Sequence, residues 1–460
     1  MNTLKIKIEN HEAVAAVIGL GYVGLPLAME IAAAGFQVVG IDLDQAKINA
    51  LQQGKSYILD VPENSIAEAV RSGRFTPTSD FSTLAKADTV SICVPTPLSK
   101  SRDPDISFIL SATEEIRRYL HPGQLIVLES TTYPGTTDEL IVPELETTGL
   151  KIGSDFFVAF SPERIDPGNL SFNTRNTPKI VGGFTPECTE AARLFYAQFI
   201  ERVIPVSTTK CAEMVKLLEN TFRSINIGMV NELALMCDLL GVDVYEVIDA
   251  AATKPFGFSP FYPGPGLGGH CIPIDPHYLA WKLKALNFQA RFIGLAAEIN
   301  GMMPSVVATM VADGLNRVSK SIRGSKVLIL GVAYKKNVSD CRESPALDVM
   351  RLLSDKGAIL SYNDPFVPQL RLGGSMLNSV EVSPTEIGNH DCVVILTDHS
   401  VYDMPAIVGA AKLVIDTRNS TKNLHAYKDR IIKLGAGNNV PSQFLHEDEN
   451  DKIPLRAAGR

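Results

Sequence analysis

AVAAVIGLGYVGLPLAMEIAAAGFQVVGIDLD, residues 13–44, decides the fold. Its first run, AVAAVIGL (13–20), reads as a buried strand. LPLAMEIAAAG (25–35) reads as an apolar helix closed by Gly35, and QVVGIDLD (37–44) as a second strand. Strand, tight turn, helix and strand in this order make the first unit of a parallel, doubly wound sheet. Gly19 permits the tight turn, Gly21 lets a ligand approach the backbone, and Gly24 lets the helix pack close to the sheet. The helix start then offers unpaired N–H groups and a positive dipole end to an anion such as a pyrophosphate. Asp42 ends the second strand, where a carboxylate accepts from a ribose 2′-hydroxyl and repels a 2′-phosphate. The pattern implies a bound dinucleotide, NAD rather than NADP.

Working outward, TVSICVP (89–95), QLIVLES (124–130) and FFVAFSP (156–162) continue the strand series. From about Thr208 to Leu240 a long helical pattern runs uninterrupted, and a second helical region runs from about Pro276 through Leu315. Between them lies FGFSPFYPGPGLGGHCIPIDP (256–276), which reads as an ordered, packed loop. The last third returns to α/β. SKVLILGVAY (325–334), ILSYNDP (359–365), DCVVILTDH (391–399) and KLVIDTRN (412–419) read as strands and SPALDVMRLLSDKGA (344–358) as a helix. The polar tail after about Val440 reads as mobile.

Length and composition suit a multidomain globular chain: 460 residues, 45% hydrophobic and 20% charged. A formal net charge of −8 argues against nucleic acid as a partner. No apolar run reaches about 18 residues, so no membrane span is expected, and the N-terminus lacks the apolar core of a signal peptide. A cytoplasmic location follows as the expectation. The seven cysteines are widely spaced, without a CxxC pair or zinc-ligand spacing, so free thiols and no metal site are expected.

Cys271 stands apart from the other six cysteines, which read as structural; among those Cys341 sits in a polar loop. Gly268 and Gly269 precede Cys271, exposing its sulfur and leaving room for a substrate. Asp275 follows four residues later, on a shared face if a helix begins at the cysteine. The alternative is a buried structural thiol. Lys216 and Asn220, spaced i and i+4, share one helical face. An ammonium beside an amide donor could stabilise an oxyanion; the alternative is a solvated charge beside a surface amide. The loops holding Thr131 and Glu163 follow strand C-terminal ends, where open α/β sheets bind ligands. Thr131 could instead cap a helix, and Glu163 could form a surface ion pair.

Taken together, GLGYVGLP (19–26), VPTP (94–97), ESTTYPGTT (129–137), SPER (161–164), AEMVKLLENTFRSINI (212–227), GPGLGGHCIPIDP (264–276) and KKNVSDCRESPAL (335–347) resemble the nucleotide-sugar 6-dehydrogenases of the UDP-glucose/GDP-mannose dehydrogenase superfamily. The resemblance covers nearly the whole chain. It implies two Rossmann-like α/β domains joined by a central all-helical domain: an NAD domain over 1–205, a helical dimerisation domain over 206–315 and a UDP-sugar domain over 316–460. It also implies two successive NAD-linked oxidations of a sugar C6 alcohol to a carboxylate, with a homodimer formed through the central helices.

The same resemblance implies residue roles. Cys271 is the nucleophile, carrying a thiohemiacetal and then a thioester. Lys216 and Asn220 stabilise oxyanions, Asp275 and Thr131 hold the water, and Glu163 is the base in hydrolysis. The first oxidation leaves Lys216 or a water beside Asp275 as the proton acceptor. Tyr22, Val23, Pro95, Thr96, Thr131 and Arg342 join Gly19, Gly21, Gly24 and Asp42 around NAD. Glu163, Arg164, Lys216, Asn220, Arg223, Tyr262, Gly264, Gly266, Gly268 and Lys335 match positions that hold the nucleotide sugar. SPERIDPGN (161–169) and His270 resemble the UDP-N-acetylhexosamine branch, with UDP-GlcNAc the favoured substrate, UDP-glucose, UDP-ManNAc and UDP-GalNAc the alternatives, and capsule or O-antigen synthesis the pathway suggested. A two-electron hydroxyacid-type dehydrogenase would need no cysteine, and a non-catalytic sensor would show no turnover.

Overall fold

A computed structural model describes residues 1–58, 61–97, 103–165, 169, 171–269 and 271–437. The expected tail lies outside this range, as does His270. The chain divides into two compact units. One comprises Met1–Phe222 with Ile274–Arg291, the other Arg223–Pro273 with Phe292–Arg460.

The first unit holds an eight-stranded sheet in the order β3-β2-β1-β4-β5-β6-β7-β8. Its strands are β1 (Val14–Ile18), β2 (Gln37–Ile41), β3 (Phe75–Thr78), β4 (Thr89–Ile92), β5 (Leu125–Leu128), β6 (Phe157–Phe160), β7 (Lys179–Gly183) and β8 (Val203–Val206). β4, β5 and β6 are buried at every position, as strands covered on both faces must be. The sheet is parallel except at one junction, where β7 runs antiparallel to β6. The all-parallel expectation is corrected there. Gly182 and Gly183 occupy β7 because a side chain has no room: a Cβ would lie 2.2 Å from the Thr208 carbonyl oxygen and 2.1 Å from the Thr189 nitrogen, respectively.

The second unit carries a five-stranded parallel sheet ordered β10-β9-β13-β14-β15 and a separate hairpin, β11-β12. The strands are β9 (Lys326–Leu330), β10 (Ile359–Asn363), β11 (Gln369–Leu372), β12 (Ser375–Asn378), β13 (Cys392–Ile395), β14 (Val414–Asp416) and β15 (Ile431–Lys433).

The long helix forms over Thr209–Leu240, and its first part belongs to one unit and the remainder to the other. The second helical region is two helices, Asp275–Lys284 and Arg291–Arg317. Asn287, with φ 57°, lies in the break between them. By length and hydropathy Arg291–Arg317 could cross a membrane, but half of its most apolar window is buried. Met303, Val307, Val311 and Leu315 from it belong to the second unit's core.

Candidate active site

The glycine turn has the geometry its residues demand. Gly19 adopts φ 91°, and a Cβ there would lie 2.5 Å from the Cys93 carbonyl oxygen. A Cβ on Gly24 would lie 1.8 Å from the Gly19 carbonyl oxygen, whereas one on Gly21 would meet open space. Two glycines are therefore fixed by packing, and the third leaves room beside the start of the helix Gly24–Ala33. Asp42 takes the Leu20 N–H on Oδ2 at 2.9 Å and pairs with Lys47 at 3.1 Å. Tyr22 is exposed, Val23 half-buried. These residues fit a dinucleotide: an open glycine at the positive end of the helix for its phosphates, and a carboxylate for its ribose. Pro95 is exposed, and the Thr96 carbonyl accepts the Tyr278 hydroxyl proton.

A second constellation lies in the same unit. Lys216 and Asn220 are both buried, at 8% and 5% exposure, which removes the solvated alternative. Lys216 Nζ donates to the Glu163 carbonyl oxygen at 2.6 Å. Asn220 Nδ2 donates to Asp275 Oδ2. Asp275 opens its helix with Pro276 next, an arrangement that suits an acid at the positive end of the dipole. Burial pushes its carboxyl up to about 6, against the pull of the Lys216 charge and the Asn220 hydrogen bond. The helix is anchored by Tyr278, buried with Leu217 and Tyr133, and by Lys282 on Glu139 at 2.6 Å.

Glu163 is half-buried. Its Oε1 takes the N–H groups of Arg164 and Ile165 at 2.7 and 2.6 Å, and its Oε2 faces Lys179 at 3.9 Å. The surface ion pair considered for it is thus an ion pair with a buried lysine. Arg164 is engaged by Glu219 at 2.6 Å and by the Pro178 carbonyl at 2.6 Å. Thr131 is half-buried in a tethered loop: Glu213, buried in the long helix, accepts from Gly135 N at 2.5 Å and from Thr137 N at 3.0 Å. Glu213 carries no local motif that would have revealed this tether.

In the second unit, the segment 256–260 is exposed while 263–265 and Gly269 are buried, so only the later half of the glycine-proline stretch is a packed loop. Gly264 N donates to Asn231 at 2.9 Å. A Cβ on Gly266 would lie 3.1 Å from Pro345, one on Gly268 2.7 Å from Tyr334, and one on Gly269 2.9 Å from the Tyr334 ring. Gly269 N also donates to the Arg342 carbonyl at 3.1 Å. The Arg342 side chain is exposed and bonds Asp340 at 2.6 Å. Tyr262 bonds Asp249 at 2.7 Å, Lys335 is half-buried, and Arg223 is exposed.

Cys271 is half-buried. Its neighbouring helix begins at Asp275, after a turn at 272–274, so the helical face considered for Cys271 and Asp275 does not form. Among the other cysteines, Cys93, Cys188, Cys237 and Cys392 are buried, and burial beside Asp364 and Asp340 pushes the Cys341 thiol up to about 12. The structure adds Arg418, which the sequence reading passed over. Its guanidinium follows β14, donates from Nε to the Leu396 carbonyl at 2.9 Å, and lies 2.5 Å from the position of a Cβ on Gly264. A basic residue directly after a strand end, in VIDTRN, was the available signal.

The chain matches the UDP-glucose/GDP-mannose dehydrogenase family in its NAD binding domain over residues 13–200, its central domain over 210–302 and its UDP binding domain over 328–423. It is 37% identical over 416 residues to a UDP-N-acetyl-D-mannosamine dehydrogenase of Methanococcus maripaludis, covering 88% of this chain and 92% of that one. It is 32% identical to a UDP-N-acetyl-D-glucosamine 6-dehydrogenase of Pseudomonas aeruginosa, covering 96% and 98%. The solved UDP-D-ManNAc dehydrogenase of Pyrococcus horikoshii superposes with a TM-score of 0.84 at 33% identity, over 92% of this chain and 99% of that one. The chain belongs to the UDP-glucose/GDP-mannose dehydrogenase family and is an NAD-dependent oxidoreductase.

Proposed function

We propose that the protein oxidises the C6 hydroxyl of a UDP-N-acetylhexosamine to the carboxylate, in two NAD-linked steps. The observation that carries this reading is the buried set of Lys216, Asn220 and Asp275 beside the Glu163 carbonyl. When bound, NAD supplies the hydride acceptor in both oxidations. Lys216, or a water beside Asp275, takes the hydroxyl proton in the first. The Cys271 thiolate adds to the resulting aldehyde carbon, and Lys216 and Asn220 stabilise the oxyanion. The second oxidation leaves a thioester on Cys271. Glu163 then takes a proton from a water held by Asp275 and Thr131, the hydroxide oxygen bonds the carbonyl carbon, and the C–S bond breaks to return the sulfur. Asp275, with its carboxyl near 6, can hold a proton or release one close to neutrality.

For the nucleotide sugar, Arg164, Arg223, Tyr262, Gly264, Gly266, Gly268 and Lys335 are the proposed contacts, with Arg418 added. For NAD they are the glycine turn, Tyr22, Val23, Asp42, Pro95, Thr96, Thr131 and Arg342. The division into domains at 1–205, 206–315 and 316–460 draws support from the three matched stretches. A homodimer draws support from one exposed stripe on Thr209–Leu240: Leu218, Phe222, Met229, Met236 and Leu240, at spacings a helix repeats on one face. It predicts a solution mass twice that of one chain; a single-chain mass contradicts it. A cytoplasmic location completes the reading.

UDP-GlcNAc is the first substrate, supported by the relative aligned over 96% of this chain. UDP-ManNAc is the second, supported by the name of the more identical relative. NADH production against UDP-glucose, UDP-GlcNAc, UDP-GalNAc, UDP-ManNAc and GDP-mannose tests both. Turnover confined to UDP-glucose or GDP-mannose would overturn the hexosamine assignment.

A further inference from the structure

Behind Glu163 lies a buried charged group that the mechanism has not used. Glu129, directly after β5, is 1% exposed; Lys179, the first residue of β7, is 5% exposed. Lys179 Nζ donates to Glu129 Oε2 at 2.6 Å and stands 5.1 Å from the centroid of the Tyr196 ring. The Tyr196 hydroxyl donates to Glu129 Oε1. Cys93, after β4, faces the same group, and burial holds its thiol and the Tyr196 phenol well above their ordinary values, so both stay neutral. One ammonium therefore serves two carboxylates, Glu129 and Glu163.

The two carboxylates are placed differently. Glu129 is sealed in, with both oxygens hydrogen-bonded. Glu163 has Oε1 fixed by two backbone N–H groups, while Oε2 stands 3.9 Å from Lys179, inside ion-pair range but beyond a hydrogen bond. Lys179 and Glu163 both line a small pocket, with Thr174, Thr177 and Pro178. A buried ion pair that only joined β5 to β7 could be replaced by apolar packing at little cost. Here the cation extends past its buried partner to a carboxylate at a pocket wall.

We propose that Lys179 is a positioning residue for Glu163: held by Glu129, its ammonium orients Oε2 to receive a proton from water. This rests on the assignment of Glu163 as the hydrolytic base. Glu129 tunes the effect, because it draws on the same cation. The other charged groups around Glu163 are Lys216, on its carbonyl, and the Arg164–Glu219 pair.

The test compares pH profiles of acid formation by the full-length enzyme with NAD and its UDP-N-acetylhexosamine. Glu129→Gln leaves Lys179 wholly to Glu163, so the acid limb moves to lower pH by about one unit, the scale of a close opposite charge. Lys179→Met in the Glu129→Gln background keeps the buried region neutral and moves the limb about one unit above that of Glu129→Gln, with the thioester accumulating and KM little changed. Lys179→Arg restores the wild-type limb. If Glu129→Gln unfolds at the wild-type temperature and keeps the wild-type limb, or if the double variant shares the limb of Glu129→Gln, the inference is overturned. Glu163→Gln separates the premise: thioester hydrolysis at the wild-type rate in that variant refutes the base role itself. Blocked hydrolysis there with a wild-type limb in Glu129→Gln refutes only the part played by Lys179.

Discussion

The two α/β sheets solve the same local problem with different chemistry. In the first, a strand ends at Gly19 and the neighbouring strand ends before Asp42; in the second, β9 ends before Gly331 and β10 before Asp364. Both glycines have positive φ, 91° and 78°, and both lie against backbone that a Cβ would strike, Cys93 and Thr397. Each aspartate accepts backbone N–H from the turn after the first strand: Asp42 from Leu20, Asp364 from Val332 and Ala333. There the likeness stops. The first turn enters its helix at once, at Gly24, with Gly21 facing open space. The second runs through Val332–Ser344 before its helix opens at Pro345, and its aspartate is sealed against His399 at 3.0 Å.

An acid after the second strand is therefore not in itself a ribose acceptor. Asp364 is fully buried and spends Oδ2 on two N–H groups and the His399 ring. The Asn337 N–H donates to His399 Nδ1 at 2.9 Å, which leaves Nε2 to carry the proton given to Asp364. The pair ties the Lys335–Asn337 turn to the 398–400 loop, with Asn337 at φ 61°. Burial raises the Asp364 carboxyl, but the bonds from His399, Ala333, Val332 and Phe366 outweigh it and hold the group below the usual range.

Breaking the glycines should give the largest effects. Gly24→Ala drives a methyl group into the Gly19 carbonyl, and should cost on the order of 3 kcal/mol and abolish measurable NAD binding by calorimetry. Gly331→Ala should cost a similar amount by the same clash, with NAD affinity retained in the protein that folds. Equal loss of NAD affinity in both would erase the distinction.

The aspartates come next. Asp364→Asn should destabilise by about 2 kcal/mol in urea unfolding, because two buried N–H groups lose their carboxylate. Asp42→Asn should cost under about 1 kcal/mol but weaken NAD binding and narrow the preference over NADP. The reverse ordering would mean that Asp364 binds ligand and Asp42 builds the fold.

A smaller effect separates two carboxyls by pH. Asp364 has a depressed value, so its contribution to stability is present above the unfolded value and lost as pH falls through the folded one. Asp275 is raised to about 6, so its contribution is complete below the unfolded value and lost as pH rises through 6. The shift from an ordinary aspartate amounts to about 3 kcal/mol at pH 8. Asp275→Asn should therefore unfold at a higher temperature than the parent at pH 8 and gain little at pH 4, while losing activity. A lower unfolding temperature at pH 8 would show that the charged form is the stabilised one.

The sequence carried much of the first comparison and little of the second site. The strand, helix and strand of 13–44 were legible because apolar runs of the right lengths meet glycines at a turn only glycine fits. The long helix was legible to within one residue, and the i, i+4 spacing correctly put Lys216 and Asn220 on one face. β7 was hidden because its glycines, forced by close backbone, weaken a strand signal. The Glu129–Lys179–Tyr196 group was hidden because it joins positions 50 and 67 residues apart, and no local pattern encodes such a meeting. The shared face open to Cys271 and Asp275, if a helix began at the cysteine, does not form, because the turn at 272–274 makes Asp275 the first helical residue.

The reaction proposed for this protein is a four-electron oxidation passing through Cys271. The direct measurement is NADH formed per sugar consumed by the wild-type enzyme, with Cys271→Ala alongside. Roughly two NADH per sugar and a uronic acid product are expected, with no acid from Cys271→Ala despite retained NAD binding. One NADH per sugar with released aldehyde, or full acid formation by Cys271→Ala, would contradict it.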